Sequence, residues 1–196
     1  MSINVYDNFF SEEDHNYIIE YCKNASYYYG EYDNDPDIFD EKYCTGLVHE
    51  VYHYTDKSPL KEKTYQPGGG HNKFINQRKM FDLFSNSIEQ KFPNFKTEDM
   101  TRFYINCFAP SENPYFHTDG QVGTTFLYYP NLSWDLDDGG ETQFVIENEL
   151  YGVLPVPNRM IYFDANIFHK ATPFRNKHRF SVAVKYNIHN SPEWKD

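Results

Sequence analysis

A mainly β fold with flanking helices, of the double-sheet jelly-roll type, is what this sequence predicts. Three observations carry the prediction. From Asp99 onward, eight short apolar or aromatic runs are separated by Pro, Gly and Asn at turn-like intervals. Tyr and Phe, 18 and 17 residues, dominate the apolar content, and aromatic side chains favour strands. Helical spacing is confined to two stretches before residue 99.

The elements follow in order. NVYDNFF reads as a short strand. Ser11, followed by three acids, is an N-cap signal that opens a helix running to about Asn24. The acidic stretch 31–43 alternates Asp33, Asp35 and Asp37, but it lacks the turn glycine and closing glutamate of a calcium loop and reads as solvated loop. LVHEVYHY is a strand. The loop Pro67 to Gly70 is rich in glycine but lacks the Gly-Lys-Ser/Thr of a phosphate cradle. Residues 74–92 have helical spacing, with Ile75, Met80, Phe81, Phe84, Ile88 and Phe92 as apolar marks. The eight later strands are TRFYINCF, PYFHT, GTTFLYY, TQFVI, LYGVL, RMIYF, the stretch around Phe168 and His169, and RFSVAVKY.

The 196 residues fit a single domain over 1–196, in which 1–98 is mixed helix and strand support and 99–190 is the jelly-roll core. A formal net charge of −11 argues against a nucleic-acid partner, which calls for a basic surface. Three cysteines with no CxxC pair argue against a disulfide framework and a zinc knuckle. The N-terminus has neither a basic nor an apolar leader region, and no apolar run approaches the roughly 18 residues of a membrane span. The expectation is an intracellular, cytoplasmic protein with no membrane partner.

The chemistry starts at YFHTDG. On a strand, His117 and Asp119 point to the same face, because side chains alternate with period two. Taken alone, such a pair is weak, and a buried histidine bonded to a nearby aspartate is the plainer reading. His169, in a strand-like context about fifty residues on, changes the balance. Two histidines and one carboxylate from neighbouring strands form the facial triad of non-haem Fe(II) oxygenases, which leaves coordination positions open. The last strand adds a second feature. Phe180, Val182, Val184 and Tyr186 share a bulky face suited to packing under helices, while Arg179, Ser181, Ala183 and Lys185 share the other. A cation with small residues beside it suits a short dianionic acid, and Arg179 is the inward cation by this reading.

With those residues in view, the sequence resembles the Fe(II)/2-oxoglutarate-dependent dioxygenases, on the prolyl 4-hydroxylase-like branch. The resemblance covers about residues 99–187 and rests on HTD at 117–119, FLYYPNLSWDLDDGGETQF at 126–144, MIYFDANIFHKATP at 160–173, and Arg179 ten residues after His169. It implies a double-stranded β-helix (jelly roll, cupin-like) with His117, Asp119 and His169 as metal ligands and catalytic centre. It implies Arg179 and Tyr129 as partners of the far carboxylate of 2-oxoglutarate. Fe(II), 2-oxoglutarate and O2 are the implied cofactors, with ascorbate as an accessory candidate. The implied reaction is hydroxylation of an unactivated C–H bond, foremost of a prolyl residue in a protein or peptide. The same chemistry on a small molecule or nucleobase, or a non-catalytic metal-binding jelly roll, are the alternatives. Many relatives have a tyrosine nine residues before the first metal histidine; here Phe108 stands there. Trp134 reads as a packing residue and Gly139-Gly140 as a turn, and His49, His53, His71 and His189 show no partner spacing. The stretch Tyr27 to Tyr43 and the Pro67–Gly70 loop are the expected walls of a substrate groove.

Overall fold

The computed structural model describes residues 3–29, 46–53, 71–110, 112 and 114–189. The acidic stretch 31–43 and the Pro67–Gly70 loop, and the groove-wall roles expected of them, lie outside the described residues.

Among the described residues, ten strands make two sheets. The large one has the order β1-β8-β5-β10-β4-β3-β2, built from β1 (Asn4–Tyr6), β2 (Tyr28–Tyr29), β3 (Leu47–His53), β4 (Met100–Phe108), β5 (Val122–Tyr129), β8 (Arg159–Asp164) and β10 (Arg179–His189). The small one has the order β7-β6-β9, built from β6 (Thr142–Ile146), β7 (Glu149–Val153) and β9 (Phe168–Ala171). All strand pairs are antiparallel. Three strands from the first 53 residues therefore extend the large sheet: β1 pairs with β8, and β3 pairs with β4.

Two helices cover the outer face of the large sheet. α1 (Glu12–Asn24) is capped as its sequence dictates: the Ser11 hydroxyl accepts from the Asp14 N–H at 3.1 Å, with three acids in the first turn. α2 (His71–Lys91) turns Met80, Phe81, Phe84 and Ile88 inward. Opposite them stand Val182, Val184 and Tyr186 of β10, with Phe180 at the margin of the same cluster. The bulky face read from RFSVAVKY thus does pack beneath the helices. Fully burying one such side chain stabilises by about 1.5–3 kcal/mol, so this layer fixes which face of β10 is left for the interior. The second core layer, between the sheets, holds Tyr104, Leu127, Tyr129, Phe144, Ile161, Phe163 and Ala183.

One predicted strand is corrected. PYFHT forms no named strand; His117 alone makes an isolated bridge to His169, at the free edge of β9. Pro114 carries no N–H for a ladder, and the chain turns at once so that the Asp119 and Gly120 N–H groups both reach the Ala165 carbonyl, at 2.8 and 3.3 Å. The segment is extended only for as long as it takes to present His117.

A second anchor holds the N-terminal segment. Asn158, at φ 61°, accepts from the Phe10 N–H and donates to the Phe10 carbonyl, each at 2.9 Å. The Tyr128 hydroxyl donates to the same Asn158 oxygen and also meets the His15 ring.

Candidate active site

His117 and His169 are joined through their backbones: each N–H donates to the other's carbonyl, at 3.0 and 2.9 Å. Their rings lie 4.5 Å apart. Each ring's Nδ1 meets the carbonyl two residues earlier, Tyr115 at 3.0 Å for His117 and Ile167 at 2.9 Å for His169. A carbonyl only accepts, so both Nδ1 atoms carry the proton and both Nε2 atoms present lone pairs. Those lone pairs face Asp119, whose oxygens lie 3.9 Å from His117 Nε2 and 3.7 Å from His169 Nε2.

Asp119 has its own supports. The Thr125 hydroxyl of β5 donates to Oδ2 at 2.5 Å, and the Lys185 ammonium of β10 pairs with Oδ1 at 2.7 Å. Its side chain is 3% exposed. Burial alone would raise this carboxyl; Lys185, then His169 and His117, outweigh it and hold the group well below the usual carboxylate range. Burial also pushes the His169 imidazole down to about 4, against the attraction of Asp119. Phe163 and Phe144 wall that ring, at 4.7 and 5.9 Å between centroids. Among the described residues, His117, Asp119 and His169 form the one group of three metal-ligating types whose donor atoms lie within 4.8 Å of one another. Two imidazole Nε2 atoms and an ionised carboxylate are a donor set that suits a divalent cation.

The second feature is Arg179. It is fully buried, and no carboxylate of the described residues lies within ion-pair distance of it. Nε donates to the Gly140 carbonyl at 2.8 Å and Nη2 to the Thr142 hydroxyl at 2.9 Å, while Nη1 has no hydrogen-bond partner. The guanidinium lies between two rings, Phe108 at 5.6 Å and Tyr129 at 5.5 Å. Tyr129 is buried too, and its hydroxyl donates to the same Thr142 oxygen at 2.8 Å. Phe108, which stands where a tyrosine was expected, thus supplies a ring face to the cation. An ionised group with an idle donor, buried with no carboxylate in direct contact and Glu141 acting only from a distance, is costly unless an anion meets it.

Gly140 makes the contact to Arg179 feasible. Its φ is 81°, and an added Cβ would lie 2.3 Å from the Phe174 ring. Gly139 and Gly140 both have positive φ, and Gly139 bridges Phe174. Trp134 donates its indole N–H to the Gly139 carbonyl at 2.8 Å, a structural contact. His49 meets Tyr21 and the Ser26 carbonyl, on the helix side of the protein.

Sequence reasoning left three contributors without a role. Thr125 shares a face with Tyr129 by alternation, and Lys185 shares one with Arg179, so both signals were available. Thr142, which takes bonds from both Arg179 and Tyr129, comes from the other sheet and had no local signal.

Residues 112–187 match the 2OG-Fe(II) oxygenase superfamily. No curated protein matches the sequence. Among solved structures, the fold is shared with a Pseudomonas putida prolyl-4-hydroxylase, at 14% identity and TM-score 0.58 over 95% of this chain and 92% of that one. It is shared with a Trichoplax adhaerens prolyl hydroxylase in complex with a hypoxia inducible factor oxygen degradation domain peptide fragment, at 14% identity and TM-score 0.62, covering 94% and 82%. A Burkholderia pseudomallei oxidoreductase of the 2OG-Fe(II) oxygenase family aligns at 12% identity and TM-score 0.66, covering 98% and 88%. The double-stranded β-helix expected from the sequence is the fold observed. Among the described residues no helix is long and apolar enough to cross a membrane.

Proposed function

From the match of residues 112–187 to the 2OG-Fe(II) oxygenase superfamily, we propose a dioxygenase that holds Fe(II) on His117, Asp119 and His169 and hydroxylates an unactivated C–H bond. The observation that carries this reading is the pairing of two features between the two sheets. A three-donor cluster faces a common point, and β10 aims a fully buried guanidinium with an idle N–H into the same inter-sheet space. A dianionic cosubstrate that chelates a metal at one end and carries a carboxylate at the other answers both.

When bound, iron, 2-oxoglutarate and O2 supply the oxidation itself, in which 2-oxoglutarate is converted to succinate and CO2. The protein's own groups do the rest. His117 and His169 offer Nε2 because their Nδ1 protons are held by backbone carbonyls. Thr125 holds one Asp119 oxygen and so orients the carboxylate. Arg179 would offer Nη1 to the far carboxylate of the cosubstrate, with the Tyr129 hydroxyl, which bonds Thr142, as its second partner. Phe108 and Tyr129 keep water from the guanidinium, as Phe144 and Phe163 do for His169.

For the substrate, the reading favoured is a prolyl residue in a protein or peptide. Its support is the likeness of residues 126–144 to the prolyl-hydroxylase branch, the fold shared with prolyl hydroxylases, one of them in complex with a peptide, and a net charge unsuited to a phosphate backbone. The experiment is mass spectrometry and succinate release with iron, ascorbate and 2-oxoglutarate, comparing proline-containing peptides, free proline and single-stranded oligonucleotides. Gain of one oxygen on a peptide proline is the expected result. Turnover with the oligonucleotide alone overturns the prolyl assignment and leaves the iron chemistry standing.

A further inference from the structure

The inner face of β10 carries a cation at each end. Arg179, Ser181, Ala183 and Lys185 face Phe108, Asn106, Tyr104 and Arg102 of β4 in register. Six residue steps of strand separate the two cations, about 20 Å along the backbone, with Ser181 and Ala183 leaving room between them. The proposed mechanism uses only Arg179. Lys185 is nearly as enclosed: its side chain is 12% exposed, its ammonium lies 2.7 Å from Asp119 Oδ1, and it stands 5.1 Å from the centre of the Tyr104 ring.

An ammonium beside a metal-ligand carboxylate competes with the metal for it. Like charges so close, in a partly dry site, repel strongly. A metal on Asp119 therefore weakens the bond that holds Lys185 there and releases a buried cation beside the open coordination side. Among the described residues, Asp119 is the one carboxylate that pairs with Lys185. Glu141, the partly buried acid of the neighbourhood, bonds Gln143 and interacts with Arg179, not with Lys185. Arg102, the other cation of this face, is already paired with Glu50 at 3.3 Å.

We propose that Lys185 is a substrate-binding residue: with a metal on Asp119, its ammonium pairs with a carboxylate of the substrate close to the carbon that is oxidised. The substrate class is then carboxylate-bearing, such as a free amino acid, a chain-terminal residue or a residue beside an acidic side chain. The inference rests on the metal and cosubstrate reading above, and it holds whether or not the oxidised ring is proline.

The test uses the full chain loaded with Zn(II) and 2-oxoglutarate, which bind without turnover. A crystal structure of this complex is expected to show the Lys185 ammonium out of hydrogen-bond reach of Asp119 and turned to the open side of the metal. Ligand-observed NMR then compares N-acetyl amino acids with their N-methylamides. Acids that bind are expected to exceed their own amides by about ten- to a hundredfold, the range for one hydrogen bond to a charged group. Lys185→Met should bring that ratio to about one, and Lys185→Arg should keep most of it. The comparison within the unmutated chain stands even if Lys185→Met does not fold. Absence of Zn(II) from the triad overturns the functional reading and this inference together. Zn(II) and 2-oxoglutarate in place, with the ammonium still on Asp119, or with acids binding no better than amides or not at all, overturns this inference alone.

Discussion

His117 and His169 exchange both of their backbone hydrogen bonds, as a directly opposed pair in an antiparallel ladder does. Residues 52 positions apart in the chain are thereby fixed with their rings 4.5 Å apart before any metal arrives. The centre is preorganised by main-chain bonds that side-chain substitution leaves in place. Effects of replacing its ligands should therefore appear in metal binding more than in folding.

Replacing His169 by Ala should abolish measurable Co(II) binding, followed by its visible absorption, while the far-ultraviolet circular dichroism stays as in the parent chain. Removing a ligand should cost more than the ten- to hundredfold typical of losing an outer partner. Unchanged Co(II) absorption in His169→Ala would place the metal elsewhere.

Thr125 supplies an outer partner of that kind. Thr125→Val keeps the shape and deletes the hydroxyl that holds Asp119 Oδ2, so Mn(II) affinity should fall about ten- to a hundredfold. Thr125→Ser should restore most of it. Equal Mn(II) affinity in the Val variant would show that Lys185 alone orients the carboxylate.

Arg179→Met should weaken 2-oxoglutarate binding by at least about a hundredfold, since breaking a buried charge pair costs about 3–5 kcal/mol, and leave Mn(II) affinity nearly intact. The ligand-free variant should also melt no lower than the parent, because the guanidinium lacks a carboxylate partner there. Calorimetry reads the first effect and thermal unfolding the second. Unaltered cosubstrate affinity would move the anchor to another cation.

Gly140→Ala should destabilise the chain by about 1–3 kcal/mol, the usual cost of overpacking. The new methyl meets the Phe174 ring at a position whose φ is already 81°. Because the Gly140 carbonyl holds Arg179 Nε, 2-oxoglutarate affinity should fall as well. Parent-like denaturant midpoint and affinity together would contradict this account.

In the metal-free chain, stability should decline as pH falls from about 6.5 toward about 4. His169 has its pKa depressed to about 4 by burial, so between those values the unfolded chain binds the extra proton and folding loses ground. Asp119, held below the usual carboxylate range, adds a further loss of the same sign at lower pH. Denaturant unfolding with chelator present measures the curve, and His169→Asn should flatten its upper part. A parent curve level between pH 6.5 and 4 would mean that the imidazole is not buried in its neutral form.

What the sequence determined by itself is what local pattern can encode. Alternation put Arg179 with Ser181 and Ala183, because side chains on a strand have no other period, while the spacing of His117 and Asp119 marked a pair that the turn onto Ala165 positions. Ser11 marked its helix start through a cap that needs only three residues. The aromatic β-rich texture after Asp99 specified the double-sheet class. Tertiary structure decided everything that depends on which strands become neighbours. It made PYFHT a single bridge instead of a strand, brought Thr142 across from the small sheet to Arg179, and set Phe108 against the same guanidinium. It drew β1 and β3 into the large sheet and tied Asn158 to Phe10, residues 148 positions apart. Above all, it placed Lys185 on Asp119. Alternation put Lys185 on the face of Arg179 but could not name its partner, which lies 66 residues away and is brought to it only by the register of β10 against β5.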